Sequence, residues 1–107
     1  MVGEIELTPE EKRRRLAELR RELRELCRMA KPWGSGWLEF KWVYNKVRNK
    51  YYYWYYRFYD KDGTKHSIYL GKTIDTDTLR ALGFKEAMIP RILSLYREIV
   101  RLLEEVG

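Results

Sequence analysis

The stretch from Lys50 to Lys72, KYYYWYYRFYDKDGTKHSIYLGK, decides how this chain of 107 residues folds. Its first part, Tyr51 to Tyr59, is aromatic except for Arg57, and aromatic side chains favour β-strands. Asp60-Lys61-Asp62-Gly63 follows, with a glycine where a tight turn needs left-handed backbone. His66 to Leu70 then reads as a further strand, so the stretch predicts an antiparallel hairpin.

A third strand is predicted upstream of this hairpin. Leu38, Phe40, Trp42 and Tyr44 alternate with more polar neighbours, which is the period-two pattern of a strand. Lys46 to Lys50 would form the turn that joins it to the aromatic run. The three strands together predict an antiparallel β-meander.

Helical patterns flank the predicted sheet on both sides. Thr8 and Glu11 form a capping box, and an apolar stripe with 3-4-3-4 spacing follows up to Lys31-Pro32: Leu16, Leu19, Leu23, Leu26 and Ala30. After the sheet, Asp75-Thr76-Asp77 starts a short helix that Gly83 ends, and a longer amphipathic helix runs to about Val106, with Pro90 in its first turn or at a kink. We expect an α+β fold with C-terminal helices packed on one sheet face, divided into a basic amphipathic helix at 1–32 and a sheet with helices at 33–107.

Alternation sorts the strand residues onto two faces. The more apolar set is assigned to the core: Leu38, Phe40, Trp42, Tyr44, Tyr52, Trp54, Tyr56, Phe58, His66, Ile68 and Leu70. The other set is polar, basic and rich in tyrosine: Glu39, Lys41, Val43, Tyr53, Tyr55, Arg57, Tyr59, Lys65, Ser67 and Tyr69. A slip of one residue in the first strand would exchange its faces.

The positive charge is concentrated in the middle of the chain. The net charge is +6, and residues 32–73 hold eight Lys/Arg against three Asp/Glu. A basic segment full of aromatics is typical of nucleic-acid contact, and Arg57 could read guanine O6 and N7. The predicted nucleic-acid-binding residues are Lys41, Lys46, Arg48, Lys50, Tyr53, Tyr55, Arg57, Lys65, Tyr69 and Lys72.

Several short motifs of the strand region carry a family resemblance. These are Gly36 to Lys41, Lys50 to Tyr53, Tyr56-Arg57, Asp62-Gly63-Thr64-Lys65 and Tyr69-Leu70-Gly71-Lys72. They resemble a β-meander module of uncharacterised archaeal and plasmid proteins, and the arm-type DNA-binding domain of tyrosine recombinases. The resemblance, over about a third of the chain, implies a sheet that enters the DNA major groove, with Lys41, Tyr53, Tyr55, Arg57, Lys65 and Tyr69 on the contacting face. It implies binding only, because the chain has no room for a catalytic domain.

Catalytic and cofactor sites are not expected. One cysteine, Cys27, and one histidine, His66, cannot build a zinc site or an intrachain disulfide, and Gly34-Ser35-Gly36 lacks the spacing and lysine of a phosphate loop. Two carboxylate pairs, Asp60 with Asp62 and Asp75 with Asp77, fit a turn and a helix start. We therefore predict a non-enzymatic protein without a cofactor, in the cytosol, with no membrane span. The absence of Gln and the two Asn among many Lys, Arg and Glu are typical of hyperthermophile proteins.

Double-stranded DNA is the partner that these patterns favour. A first alternative is RNA or single-stranded DNA, whose bases could stack on Tyr53, Tyr55 and Tyr69. A second alternative is a protein adapter, in which the amphipathic helices bind a protein and the sheet is structural. The N-terminal stripe must pack on the C-terminal helix or on a second copy, and we expect a homodimer through the helices. The arginines of the N-terminal helix could add phosphate contacts, with Lys12 to Arg15 the least compensated by glutamates.

Overall fold

The computed structural model describes residues 7–30, 36–44 and 50–106. Helix α1 (Pro9–Ala30) precedes strands β1 (Trp37–Tyr44), β2 (Lys50–Tyr59) and β3 (Lys65–Gly71). Helix α2 (Thr76–Ala81), a 3₁₀ turn (Glu86–Met88) and helix α3 (Ile89–Val106) complete the chain. The strands form one antiparallel sheet in the order β1-β2-β3, so the predicted α+β fold is confirmed. The predicted first turn lies at residues 45–49, outside the described residues.

Helix α1 begins at the predicted capping box and buries the predicted stripe. Thr8 Oγ1 accepts a hydrogen bond from the Glu11 amide, and Glu11 Oε1 accepts one from the Thr8 amide, each at 3.2 Å. All five residues of the predicted stripe are buried in the same core as the sheet: Leu16, Leu19, Leu23, Leu26 and Ala30. Helix α1 contacts α3 and β1. The stripe therefore has its partner within the chain, which removes the reason for expecting a dimer through it.

The core face of the sheet lies over the helices. Leu38 pairs with Tyr56 and Phe40 with Trp54, and all four side chains are buried. Trp54, with no exposed surface, has its ring 5.1 Å from that of Tyr96 on α3, while the Tyr56 ring lies 5.9 Å from Phe84. Aromatic side chains of β2 thus join the sheet to the helical layer.

Two residues assigned to the core are exposed instead. His66 and Ile68 of β3 lie on the core face, because they pair with Phe58 and Tyr56, yet the His66 side chain is 46% exposed and Ile68 is 43% exposed. The reason is the extent of the helical layer: the described helices pack beneath β1 and β2 and do not extend beneath β3, although β1 and β3 are both edge strands. Alternation predicts the face of a residue but not how far the covering layer extends.

A one-residue irregularity ends the pairing of β2 with β3. Tyr55 pairs with Tyr69 but Trp54 pairs with Gly71, so Leu70 is an extra residue on β3. Such a bulge bends the strand and shifts the following residues by one position relative to the partner strand. Gly71 has φ of 93°, a left-handed backbone that glycine adopts without strain.

Helix α2 starts at the predicted cap and stops before the predicted glycine, and α3 ends at Val106 as predicted. Asp75 caps α2 by accepting a hydrogen bond from the Thr78 amide, and Gly83, with φ of 89°, follows the end of α2. Pro90 lies in the first turn of α3, where its missing N–H leaves no helical hydrogen bond unmade. Among the described helices, none is long and apolar enough to cross a membrane.

Candidate nucleic-acid interface

The face of the sheet that points away from the helices, called the open face below, carries most of the predicted site. It consists of Trp37, Glu39, Lys41 and Val43 of β1, Tyr51, Tyr53, Tyr55, Arg57 and Tyr59 of β2, and Lys65, Ser67 and Tyr69 of β3. Tyr69 is 59% exposed and Tyr59 is 47% exposed, and Lys41 and Lys65 are exposed as well. Trp37 is the exception at 7%. The alternation in the sequence therefore predicts the composition of this face.

Tyrosines form a contiguous aromatic patch on the open face. The Tyr69 ring lies 5.6 Å from Tyr53 and 5.6 Å from Tyr55, so one ring of β3 contacts two of β2. These tilted and edge-to-face pairs are a favourable arrangement for aromatic rings. They hold the rings in place while leaving part of each exposed, which creates a surface of apolar area edged by hydroxyl groups.

Lysines lie at the margins of the tyrosine patch. Lys72 Nζ is 4.8 Å from the centre of the Tyr51 ring. Lys72 reaches the open face because of the bulge at Leu70, which gives Gly71 the core-face position opposite Trp54. Lys41, which pairs with Tyr53, is exposed on β1. The structure thus brings Lys41, Tyr53 and Lys72 onto one face, as predicted.

Arg57 is held by a carboxylate on the same face. Its Nε lies 3.1 Å from Glu39 Oε2, so the two side chains form an ion pair. The Nε–H group does not form a hydrogen bond with the carboxylate. The guanidinium also lies 5.5 Å from the centre of the Tyr55 ring. Glu39 is the one carboxylate among the described residues of the open face. Contact between Arg57 and guanine therefore requires Glu39 to release Arg57.

Helix α1 reaches this face at its β1 edge, in a way that sequence reasoning missed. Arg20 Nη2 donates to Glu39 Oε1 at 3.1 Å, and the Arg24 guanidinium lies 4.4 Å from the centre of the Trp37 ring. Trp37 also has Lys65 Nζ at 5.7 Å from its ring. Alternation alone places Trp37 beside Glu39 on the open face. Arg20 lies nineteen residues before Glu39 in the sequence, so its contact with this face depends on how α1 packs against β1. The alternation of residues within β1 does not predict that packing.

Three predicted contact residues are not placed by the structure. Lys46 and Arg48 lie outside the described residues, and for Lys50 only the backbone, at the start of β2, is described. All three belong to the predicted turn between β1 and β2. They remain predictions.

The arginines of α1 are compensated differently from the prediction. Lys12 Nζ lies 3.5 Å from Glu105 and Arg15 Nη2 lies 3.1 Å from Glu98, both on α3. The hydrogen bond to Glu98 is the main reason that the pKa of Arg15 is raised. Lys12 and Arg15 are therefore paired across helices, and the prediction that Lys12 to Arg15 is the least compensated part of the helix does not hold for these two residues.

The carboxylates of Asp60 and Asp75 stabilise a turn and a helix start. Asp60 accepts hydrogen bonds from the Asp62 and Thr64 amides, and its Oδ2 lies 2.6 Å from His66 Nε2. The contact with His66 is the main reason that the pKa of Asp60 is lowered, and the hydrogen bonds from the two amides lower it further. Asp75 is a helix cap, and its pKa is lowered by the Thr78 amide. Within the described ranges no three His, Cys, Asp or Glu side chains cluster as metal ligands.

Comparison of the chain with protein-family models, with curated proteins and with solved structures found no match in any of the three. The resemblance to arm-type DNA-binding domains stays a prediction, and a functional assignment has to be argued from the geometry of the open face.

Proposed function

We propose that this protein binds nucleic acid through the open face of its sheet, with double-stranded DNA as the main partner. The observation that carries the proposal is the composition of this face among the described residues. It presents Lys41, Arg57, Lys65 and Lys72 around a tyrosine patch, against the single carboxylate of Glu39. The proposal contains no catalytic step.

The chemistry of these side chains suits a phosphate backbone. Lysine and arginine displace counterions when they meet phosphates, and this release supplies most of the affinity for duplex DNA that does not depend on sequence. Tyrosine adds apolar contact area and a hydroxyl donor. Each phosphate neutralised on duplex DNA should contribute about 0.9 to the slope of log affinity against log salt concentration.

The test compares two triple variants that change the net charge equally. Replacing Lys41, Lys65 and Lys72 by Gln removes three positive charges from the open face. Replacing Arg91, Arg97 and Arg101 by Gln removes three from exposed positions of α3. We expect the open-face variant to lose about 2 to 3 units of salt slope on a labelled duplex, measured by fluorescence anisotropy.

The α3 variant is the matched control and should keep the slope of the unmodified chain. An equal loss in both variants would mean that only net charge matters, and it would contradict the assignment of the open face. Absence of duplex binding by the unmodified chain, even at low salt, would overturn the proposal as a whole.

Single-stranded nucleic acid is a second candidate, favoured by the exposure of two rings. Tyr59 and Tyr69 are the most exposed aromatic residues described, and stacking of a base on an aromatic ring contributes about 1–3 kcal/mol. Under this alternative, Tyr69→Ala weakens binding to single strands by at least as much as removal of the three lysines. Under the duplex proposal the order is reversed.

A further inference from the structure

We propose that the corner where α1 meets the open face is an anchoring site for a phosphodiester group, and that Glu39 occupies the position of the phosphate in the free protein. The corner is made by Arg20 and Arg24 of α1, Arg57 of β2 and Lys65 of β3, around Trp37 and Glu39. The inference rests on the proposed function and names the part of the surface where the backbone is held.

Two arginines from different elements share the Glu39 carboxylate. Arg20 Nη2 lies 3.1 Å from Oε1 and Arg57 Nε lies 3.1 Å from Oε2, and the Trp37 indole donates to Oε2 at 3.3 Å. Donors from α1, β1 and β2 therefore converge on one pair of anionic oxygens. A phosphate group is recognised by the same arrangement of guanidinium and N–H donors.

The positive charge at the corner exceeds what Glu39 can balance. Arg24 stacks over Trp37 at 4.4 Å and Lys65 lies 5.7 Å from the same ring, and neither has a carboxylate partner among the described residues. Arg20 also lies over the Phe40 ring at 4.8 Å. Two cations contact the Glu39 carboxylate and two more contact the neighbouring Trp37 ring, so the corner attracts a further anion even while Glu39 is bound.

Glu39 can leave without breaking the core. Its side chain is 27% exposed, at a cleft of about 280 Å³ between α1 and β1. The Nε–H of Arg57 is buried and makes no hydrogen bond, so Glu39 does not saturate the donors of this arginine. A phosphodiester offers two charged oxygens, as a carboxylate does, and two ester oxygens besides. Exchange of Glu39 for a phosphodiester therefore keeps the number of charged acceptors and leaves the Arg57 Nε–H available to a further oxygen.

The experiment replaces the carboxylate by an amide of the same size. Glu39→Gln removes the competing charge, and we expect it to tighten duplex binding by roughly twofold to fivefold, the upper part of the range of an exposed ion pair. The salt slope should rise by about 0.9 if one further phosphate contact forms. The matched control is Glu98→Gln, because Glu98 has the same 3.1 Å contact to an arginine, Arg15, in the helical layer.

A spectroscopic readout tests the site without a duplex. The Trp37 indole N–H donates to Glu39, so its NMR resonance should move when inorganic phosphate displaces the carboxylate, and at lower phosphate concentration in Glu39→Gln than in the unmodified chain. A dinucleotide that saturates this shift at lower concentration than inorganic phosphate would identify the phosphodiester as the ligand. Circular dichroism establishes that both variants are folded.

Three results would overturn the inference. One is equal tightening by Glu39→Gln and Glu98→Gln, which would reflect net charge alone. Another is weaker duplex binding by Glu39→Gln, which would make Glu39 a residue that positions Arg57. The third is an unmoved Trp37 indole resonance in Glu39→Gln at tens of millimolar phosphate. Failure of the proposed function is distinct from these, since it would leave the phosphate shift intact while no duplex binds.

Discussion

Cys27 is fully buried on α1, and this burial determines its chemistry. A thiolate in this position loses its hydration, which raises the pKa of the thiol to about 11, against a smaller opposing effect from a backbone hydrogen bond to Leu38. Cys27 follows Leu26 of the apolar stripe, and this position favours the role of a small hydrophobic residue. The extent of burial depends on α3 and β1, which the local sequence does not reveal.

The raised pKa of Cys27 predicts a loss of stability at alkaline pH. Because its pKa in the folded chain exceeds the ordinary value of 9.0, the stabilisation is complete below pH 9 and is lost as pH rises towards about 11. We expect the difference in unfolding free energy between the unmodified chain and Cys27→Ala to shrink across this range. Urea titrations at several pH values measure it. A difference independent of pH would contradict the prediction.

Glu39 illustrates what sequence reasoning cannot supply at single positions. Alternation predicts its face correctly. Its three partners, however, come from α1, β1 and β2, and one of them is nineteen positions away in the sequence. Local patterns predict faces and element ends well, because both depend on near neighbours. Contacts between elements depend on packing angles that no short motif encodes.

Helix α1 is a structural part of the core, and a single truncation should show it. Leu23 is 1% exposed on α1, so Leu23→Ala should destabilise the chain by about 2–5 kcal/mol, through lost burial and the cavity left behind. Urea unfolding followed by far-ultraviolet circular dichroism measures this. Arg14→Ala, at an exposed position of the same helix, is the control and should stay within about 0.5 kcal/mol of the unmodified chain.

Strand β3 shows the limit of what can be predicted from the sequence of a single element. The turn before β3 forms as expected, with Gly63 at φ of 78°, and β3 takes the expected direction. Its core-face residues His66 and Ile68 nevertheless remain exposed. Which of the two edge strands the helices cover depends on how the helical layer packs on the sheet, which is a property of the assembled layers.

At the scale of the whole molecule, the buried residues of α1, the sheet and the C-terminal helices form one cluster. The predicted division at residue 32 therefore separates two sequence patterns, but the residues on its two sides share one core. We expect helix and sheet to unfold together. Far-ultraviolet circular dichroism and tryptophan fluorescence should give the same midpoint in urea, since Trp54 is buried between sheet and helices. Separate midpoints would contradict a shared core.

The extra residue at Leu70 has an evolutionary consequence. If β3 kept regular pairing past Tyr69, Leu70 would lie opposite Trp54, and Lys72 would face the helical layer beside Tyr52 instead of joining Tyr51 on the open face. Because the bulge absorbs the extra residue, deletion of Leu70 would leave Gly71 opposite Trp54 and Lys72 on the open face. Descendants of this chain should thus tolerate the loss of Leu70 without a change in the charge of either face.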